Sequence, residues 1–221
     1  MDLFESNFET HFPTQIEVVS SSPSTELVKL ALFYTKMPVV VAEEGNKRAG
    51  GPSKSELRQV VLDIKSWFER QDPNFKCGSP MTDVDFQRMG KAVDAQFPAA
   101  LDTLLSEVNG GLWLEDKKTM TSDEIIAAVQ SNESSKRPGW KASHIPFACD
   151  DVPSIYLIVD TATERGEVYE YDIDDGMEED SPVVAPALDA FLETYRDGLL
   201  NGMFEYIEDC GVTEKMGASR K

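Results

Sequence analysis

No stretch of this 221-residue sequence approaches the roughly 20 apolar residues needed to cross a bilayer. Cysteine and histidine are scarce as well. Cys77, Cys149 and Cys210 are odd in number and far apart, which argues against a disulfide framework and for reduced thiols. His11 and His144 are the only histidines, so no zinc-ligand spacing exists. The start, Met-Asp-Leu-Phe-Glu, has no basic lead and no apolar stretch behind it, so no signal peptide is expected. The triplet Asn132-Glu133-Ser134 then reads as a chance sequon. Nothing at Ser219-Arg220-Lys221 matches a lipidation signal. The chain also lacks a G-x-S-x-G elbow, a P-loop and a Rossmann fingerprint. These absences point to a cytoplasmic protein with no cofactor, no metal and no membrane contact.

Positive charge is the other shortage. Lys and Arg number 21 against 40 Asp and Glu, a net charge of −19. The imbalance is local: residues 140–221 hold 6 basic and 19 acidic side chains, a net of −13. Such a surface repels phosphate backbones, so nucleic acid is disfavoured as a partner and a protein with a basic surface is favoured.

What is present is periodicity. Phe4, Phe8 and Phe12 recur every fourth residue, and Leu27, Leu30, Ala31 and Tyr34 form a helical stripe over residues 26–37. Residues 43–54 carry breakers without apolar periodicity and read as a linker. A strong amphipathic helix follows, with Ser53 and Glu56 spaced as a capping box and Leu57, Val60, Val61, Ile64, Trp67 and Phe68 on one face. Thr82 caps a second helix bearing Phe86, Met89 and Val93. Pro98 opens a third in its first turn, with Leu101, Leu104, Leu105 and Val108 buried, and Asn109-Gly110-Gly111 stops it. Leu112-Trp113-Leu114 reads as a strand. Thr121 and Glu124 cap a short helix over residues 125–129, and residues 131–139 read as turns. Residues 155–159 and the alternating residues 167–173 form an expected antiparallel hairpin. Leu188, Phe191, Leu192 and Tyr195 open a closing helix expected to reach Ile207. Helices first, then strands, then a helix argue an α+β fold.

Three constellations invite chemistry. The acidic loop Asp172, Asp174, Asp175, Glu178, Glu179 and Asp180 fails as a calcium loop, because setting Gly176 as the obligatory glycine puts Tyr171 and Ile173 at ligand positions. Asp150, Asp151 and Asp160 could serve a metal-assisted hydrolase, although carboxylates near strand ends more often cap turns. Cys149 and His144 lack any orienting motif, which favours a buried thiol. Of Trp113, Trp140 and Phe147, at least two are expected in the core.

Residues from about 55 to 207 resemble the SUKH superfamily, the fold of a fungal cell-wall synthesis regulator and of bacterial immunity proteins. The resemblance is carried by the leading helix, by Pro98 before a helix ending in Asn109-Gly110-Gly111, and by Trp140, Ile145-Pro146-Phe147 and Asp150. The strand ending in Asp160, Val168-Tyr169 and Phe191-Leu192 complete the series. The resemblance implies a twisted, mainly antiparallel sheet flanked by helices, placed over residues 51–210; residues 1–50, outside the match, are expected as an N-terminal extension with a short helix and linker, and residues 211–221 as a C-terminal tail. It also implies a binding role without catalysis; the extra N-terminal segment and the acidic C-terminal third then favour an intracellular adaptor or regulatory subunit. The alternatives are an acidic immunity protein that neutralises a basic nuclease toxin, and the hydrolase above. The expected partner surface comprises Trp140, Phe147, Asp150, Asp151, Asp172, Asp174, Asp175, Glu178, Glu179 and Asp180. Pro98, Asn109, Gly110, Gly111, Pro146 and Asp160 are expected to be structural.

Overall fold

The computed structural model describes residues 51–94, 96–163, 165–177, 181–207 and 210–215. The chain divides into two units, Met1–Met37 and Pro38–Lys221, and every described residue belongs to the second. The phenylalanine stripe and the helix expected over residues 26–37 lie outside the described residues, as do Glu178, Glu179 and Asp180.

Three helices come first: α1 (Lys54–Gln71), α2 (Asp83–Val93) and α3 (Ala99–Glu107). Ser53 and Glu56 close the expected capping box on α1, and Thr82 does the same on α2 with Asp85 at the third helical position. Each box satisfies donors that the first helical turn cannot pair internally. All six residues of the α1 stripe, from Leu57 to Phe68, are buried. Pro98 is the N-cap of α3 and so sits one position before its first turn. The α3 stripe Leu101, Leu104, Leu105 and Val108 is completely buried. Burying each such side chain contributes roughly 1.5–3 kcal/mol. Asn109 does more than end the helix. Its Oδ1 accepts from Ser122 N–H at 2.8 Å, and Gly110 follows with φ of 91°. A Cβ on Gly110 would stand 2.7 Å from Thr121 Cγ2, so the turn that stops one helix is packed against the start of the next.

Strands β1 (Trp113–Leu114) and β2 (Lys117–Thr119) form a small hairpin ahead of α4 (Ser122–Ser135). The helix expected over residues 125–129 is longer, and its capped start at Thr121 is as expected. Its polar last two turns carried no apolar stripe to reveal them. Then come β3 (His144–Cys149), β4 (Ile155–Asp160), β5 (Glu167–Asp172), β6 (Val183–Ala185) and α5 (Leu188–Leu200). The sheet runs β1-β2-β3-β4-β5-β6, antiparallel throughout. Its register pairs Tyr156 with Tyr171 and Asp160 with both His144 and Glu167. Pro146 lies inside this sheet, where its missing N–H would break a regular ladder. A register shift between Pro146 and Ala148 accommodates it.

The C-terminal helix does not reach Ile207. It ends at Leu200, and the chain turns at Asn201-Gly202 into a second hairpin of β7 (Phe204–Ile207) and β8 (Gly211–Glu214). Residues 211–214, expected as tail, therefore pair as a strand. Phe204 and Tyr206 alternate with exposed Glu205 and Ile207, the period-two pattern of a half-buried strand. Tyr206 meets Phe68 edge-on at 5.7 Å, and Phe204 lies 5.7 Å from Tyr195, so the hairpin closes against α1 and α5.

Candidate protein-interaction surface

In an antiparallel meander, alternate connections fall at the same end of the sheet. Here the β1–β2, β3–β4 and β5–β6 connections share one end, and each is acidic. The register that produces this also sends Asp160 to the opposite end.

The β3–β4 turn is built on Asp150. Its Oδ1 accepts from Ser154 N–H at 2.9 Å and Ile155 N–H at 3.2 Å, and its Oδ2 accepts from Ser154 Oγ at 2.7 Å. Burial pushes this carboxyl up, but those three donors outweigh it and leave it below its ordinary value. Asp150 is therefore a turn-forming residue whose lone pairs are largely committed. Asp151, next to it, faces solvent and meets Lys118 Nζ at 3.2 Å. That ammonium lies 4.1 Å from the Trp113 ring centre. Val152, at the tip, is 75% exposed.

The β5–β6 connection starts the same way. Asp172 Oδ1 accepts from the N–H of Asp174 (2.8 Å) and Asp175 (3.3 Å), while Asp172 and Gly176 form a backbone bridge. Asp174 and Asp175 are thereby held exposed. Ile173 N–H donates to Ser154 O at 2.8 Å, which ties this loop to the β3–β4 turn. The third turn adds Asp116, exposed beside Lys117, whose Nζ lies 3.0 Å from Asp116 and 3.5 Å from Glu170. Six carboxylates (Asp116, Asp150, Asp151, Asp172, Asp174 and Asp175) thus share one end of the sheet.

Trp140 and Phe147 do not belong to the exposed part of this surface. Phe147 is completely buried and packs edge-on against Phe191 at 6.3 Å, so it is a core residue and no partner reaches it. With Trp113 also buried, two of the three aromatics lie in the core. Trp140 is half-buried, edge-on to Tyr171 at 5.2 Å and to His144 at 5.6 Å. Tyr171 OH donates to Pro138 O at 3.1 Å, which seats the loop leading to Trp140 on β5.

The hydrolase constellation does not converge. Asp150 and Asp151 precede β4 and Asp160 ends it, about 17 Å apart at the usual strand rise. Asp160 is instead a buried turn cap: it accepts from Ala162 N–H at 2.9 Å and lies 3.4 Å from Lys141 Nζ. Burial pushes its carboxyl up, but hydrogen bonds from Ser143 and Ala162, with His144 and Lys141 nearby, leave it lowered. His144, completely buried, has Nε2 at 3.6 Å from Asp160 Oδ2. Its Nδ1 accepts from Lys141 N–H at 3.3 Å. Burial pushes the imidazole down to about 4 against the upward pull of Asp160, so it is neutral at physiological pH. Cys149 stands at the far end of β3 from His144, and burial, with Glu124, Asp150 and Asp151 around it, raises its thiol to about 11. That is the opposite of an activated nucleophile. No group of three or more metal-binding side chains converges among the described residues.

Asp116, Lys118 and Val152 were not legible as site residues. Lys117-Lys118-Thr119 has no strand signature, and only the register of β2 on β3 brings Lys118 opposite Cys149 and beside Asp151.

No curated protein matches the chain significantly. The family model for the SMI1 / KNR4 family (SUKH-1) matches residues 80–194, about half of the chain, from the residues before α2 to within α5. The helices, the antiparallel sheet and this match agree, and the chain belongs to the SMI1 / KNR4 family (SUKH-1).

Proposed function

We propose that this chain is a cytoplasmic, non-catalytic protein-binding module, an adaptor or regulatory subunit. It presents the acidic end of its sheet to a partner with a basic surface. The observation that carries this reading is the convergence of the three hairpin connections, which holds Asp151, Asp174 and Asp175 outward on turns fixed by Asp150 and Asp172, with Asp116 exposed in the third. Preorganised turns lose little freedom on binding, and a surface with an excess of one sign raises the encounter rate with an opposite one. Family membership fits a protein-interaction or immunity-type module. Three unpaired cysteines, with Cys210 exposed, fit a reducing compartment.

The same acidic end favours a second reading, an immunity protein that neutralises a basic nuclease toxin. Affinity purification of the intact chain from its native cells, followed by mass spectrometry, separates the two. An adaptor returns a reproducible basic partner that is no nuclease. An immunity protein returns a nuclease toxin. No reproducible protein under low-salt washing counts against both.

A further inference from the structure

Trp113 and Lys118 stand directly opposite each other on β1 and β2, so their side chains leave the hairpin on one face. The Lys118 ammonium lies 4.1 Å from the centre of the Trp113 ring and 3.2 Å from Asp151 Oδ1. An aromatic face and a carboxylate thus hold one cation between them. Trp113 is only 4% exposed, while the Lys118 side chain is 42% exposed. The lysine is therefore an outer part of the cover over the indole.

Beside this pair the surface sinks into a recess of about 330 Å³, bounded by the end of α1 and the loop after it, the β1–β2 hairpin and β7. Phe75, Trp113 and Tyr206 form its aromatic walls, and Asp72, Lys76 and Lys118 are its charged groups. The walls are seated on the core. Phe75 stacks on the completely buried Phe68 at 5.0 Å, and Tyr206 meets the same ring edge-on at 5.7 Å. Asp72, the C-cap of α1, is fixed by accepting from Asn74 N–H at 2.8 Å. With Lys118 swung aside, Asp72 and Asp151 outnumber the exposed Lys76, and the Trp113 face opens to the recess.

We propose, on the reading that the acidic sheet end meets a basic surface, that this recess takes an arginine side chain of that partner and that Lys118 is its placeholder. An exposed lysine–carboxylate pair is weak, so displacing it costs little. A guanidinium lies flat on an indole and forks onto a carboxylate through two parallel N–H donors, neither of which an ammonium can do. The incoming arginine therefore takes the Trp113 face and the Asp151 carboxylate, and the Lys118 ammonium returns to water.

The test titrates the full chain at pH 7 with N-acetyl-arginine amide, following the Trp113 indole N–H by NMR. The neutral isostere N-acetyl-citrulline amide and the acidic N-acetyl-glutamate amide are run beside it. Arginine amide should shift the Trp113 signal and citrulline amide should not. In Lys118→Ala, which removes the competing ammonium, arginine amide should bind about fivefold more tightly, the size of one cation–aromatic contact. Adding Asp151→Asn to Lys118→Ala should reverse that gain. Equal shifts with arginine and citrulline amides, a Trp113 response to the glutamate probe alone, or no gain in Lys118→Ala overturns the proposal. Should Lys118→Ala fail to fold, the wild-type comparison of arginine with citrulline decides alone. The probes carry no partner surface, so their failure leaves the acidic sheet end standing, and that surface is tested separately by capture of the partner with charge-reversed variants.

Discussion

Ser154 engages both oxygens of Asp150, its N–H reaching Oδ1 at 2.9 Å and its hydroxyl reaching Oδ2 at 2.7 Å. The acidic turn at the tip of the β3–β4 hairpin is thus fixed before any partner arrives.

Asp150→Ala strips the turn of its acceptor and leaves three donors to find water. The expected loss is about 1–3 kcal/mol, measured by urea unfolding at pH 7. The carboxyl is held below its ordinary value, so its stabilisation is complete above the unfolded value and is lost as pH falls through the folded one. The wild type therefore loses this contribution in acid, below about pH 4, and Asp150→Asn removes that part of the acid limb.

His144 produces an acid sensitivity of its own. Its folded value of about 4 lies below the unfolded 6.5, so stability is complete above 6.5 and declines as pH falls toward 4. Glu115, in the β1–β2 turn, runs the other way: burial, then Asp116, push its carboxyl up to about 7, so its contribution to stability is lost as pH rises from about 4.5 to about 7. The two slopes oppose each other between pH 4.5 and 6.5. Urea unfolding across that range should be nearly flat for the wild type, should fall with rising pH in His144→Gln, and should climb with rising pH in Glu115→Gln. Parallel curves for the three proteins would contradict both assignments.

Helix α1 lies outside the residues matched by the family model, yet it packs against α3 and α5 with its whole apolar stripe. Ile64→Ala, at a completely buried position, should cost about 2–5 kcal/mol in the same assay. A loss below about 0.5 kcal/mol, the range typical of surface substitutions, would show that α1 is peripheral to the core.

Three helices were readable because their apolar stripes begin at a side-chain cap, Ser53, Thr82 and Thr121, and the other two from the stripe itself. The β4–β5 hairpin was readable because Glu167 to Asp172 alternates. Failures came where tertiary pairing decides. Strand β2 is Lys-Lys-Thr, and its strand identity exists only in its bonds to β1 and β3. The last turns of α4 carry Ser and Glu, which read as loop. Phe204-Glu-Tyr-Ile was read as the end of the helix although Phe204 and Tyr206, two residues apart, share a face only in a strand, where they meet Tyr195 and Phe68. At the candidate surface the carboxylates were visible, but their division of labour was not. Asp150 and Asp172 hold turns, while Asp151, Asp174 and Asp175 face outward, and only hydrogen-bond geometry separates the two groups. Phe147 failed as a surface residue because the register turns it toward Phe191.

The most direct test of the acidic sheet end is a side-by-side capture. The wild type is compared with Asp151→Lys/Asp174→Lys/Asp175→Lys and with Glu69→Lys/Asp94→Lys/Glu205→Lys, which carries the same net charge with its reversals elsewhere on exposed positions. All three should fold alike by circular dichroism, because every altered side chain is exposed. The first variant should lose the partner captured by the wild type, and the second should retain it. Equal capture by the two variants, or loss by the second alone, would contradict it.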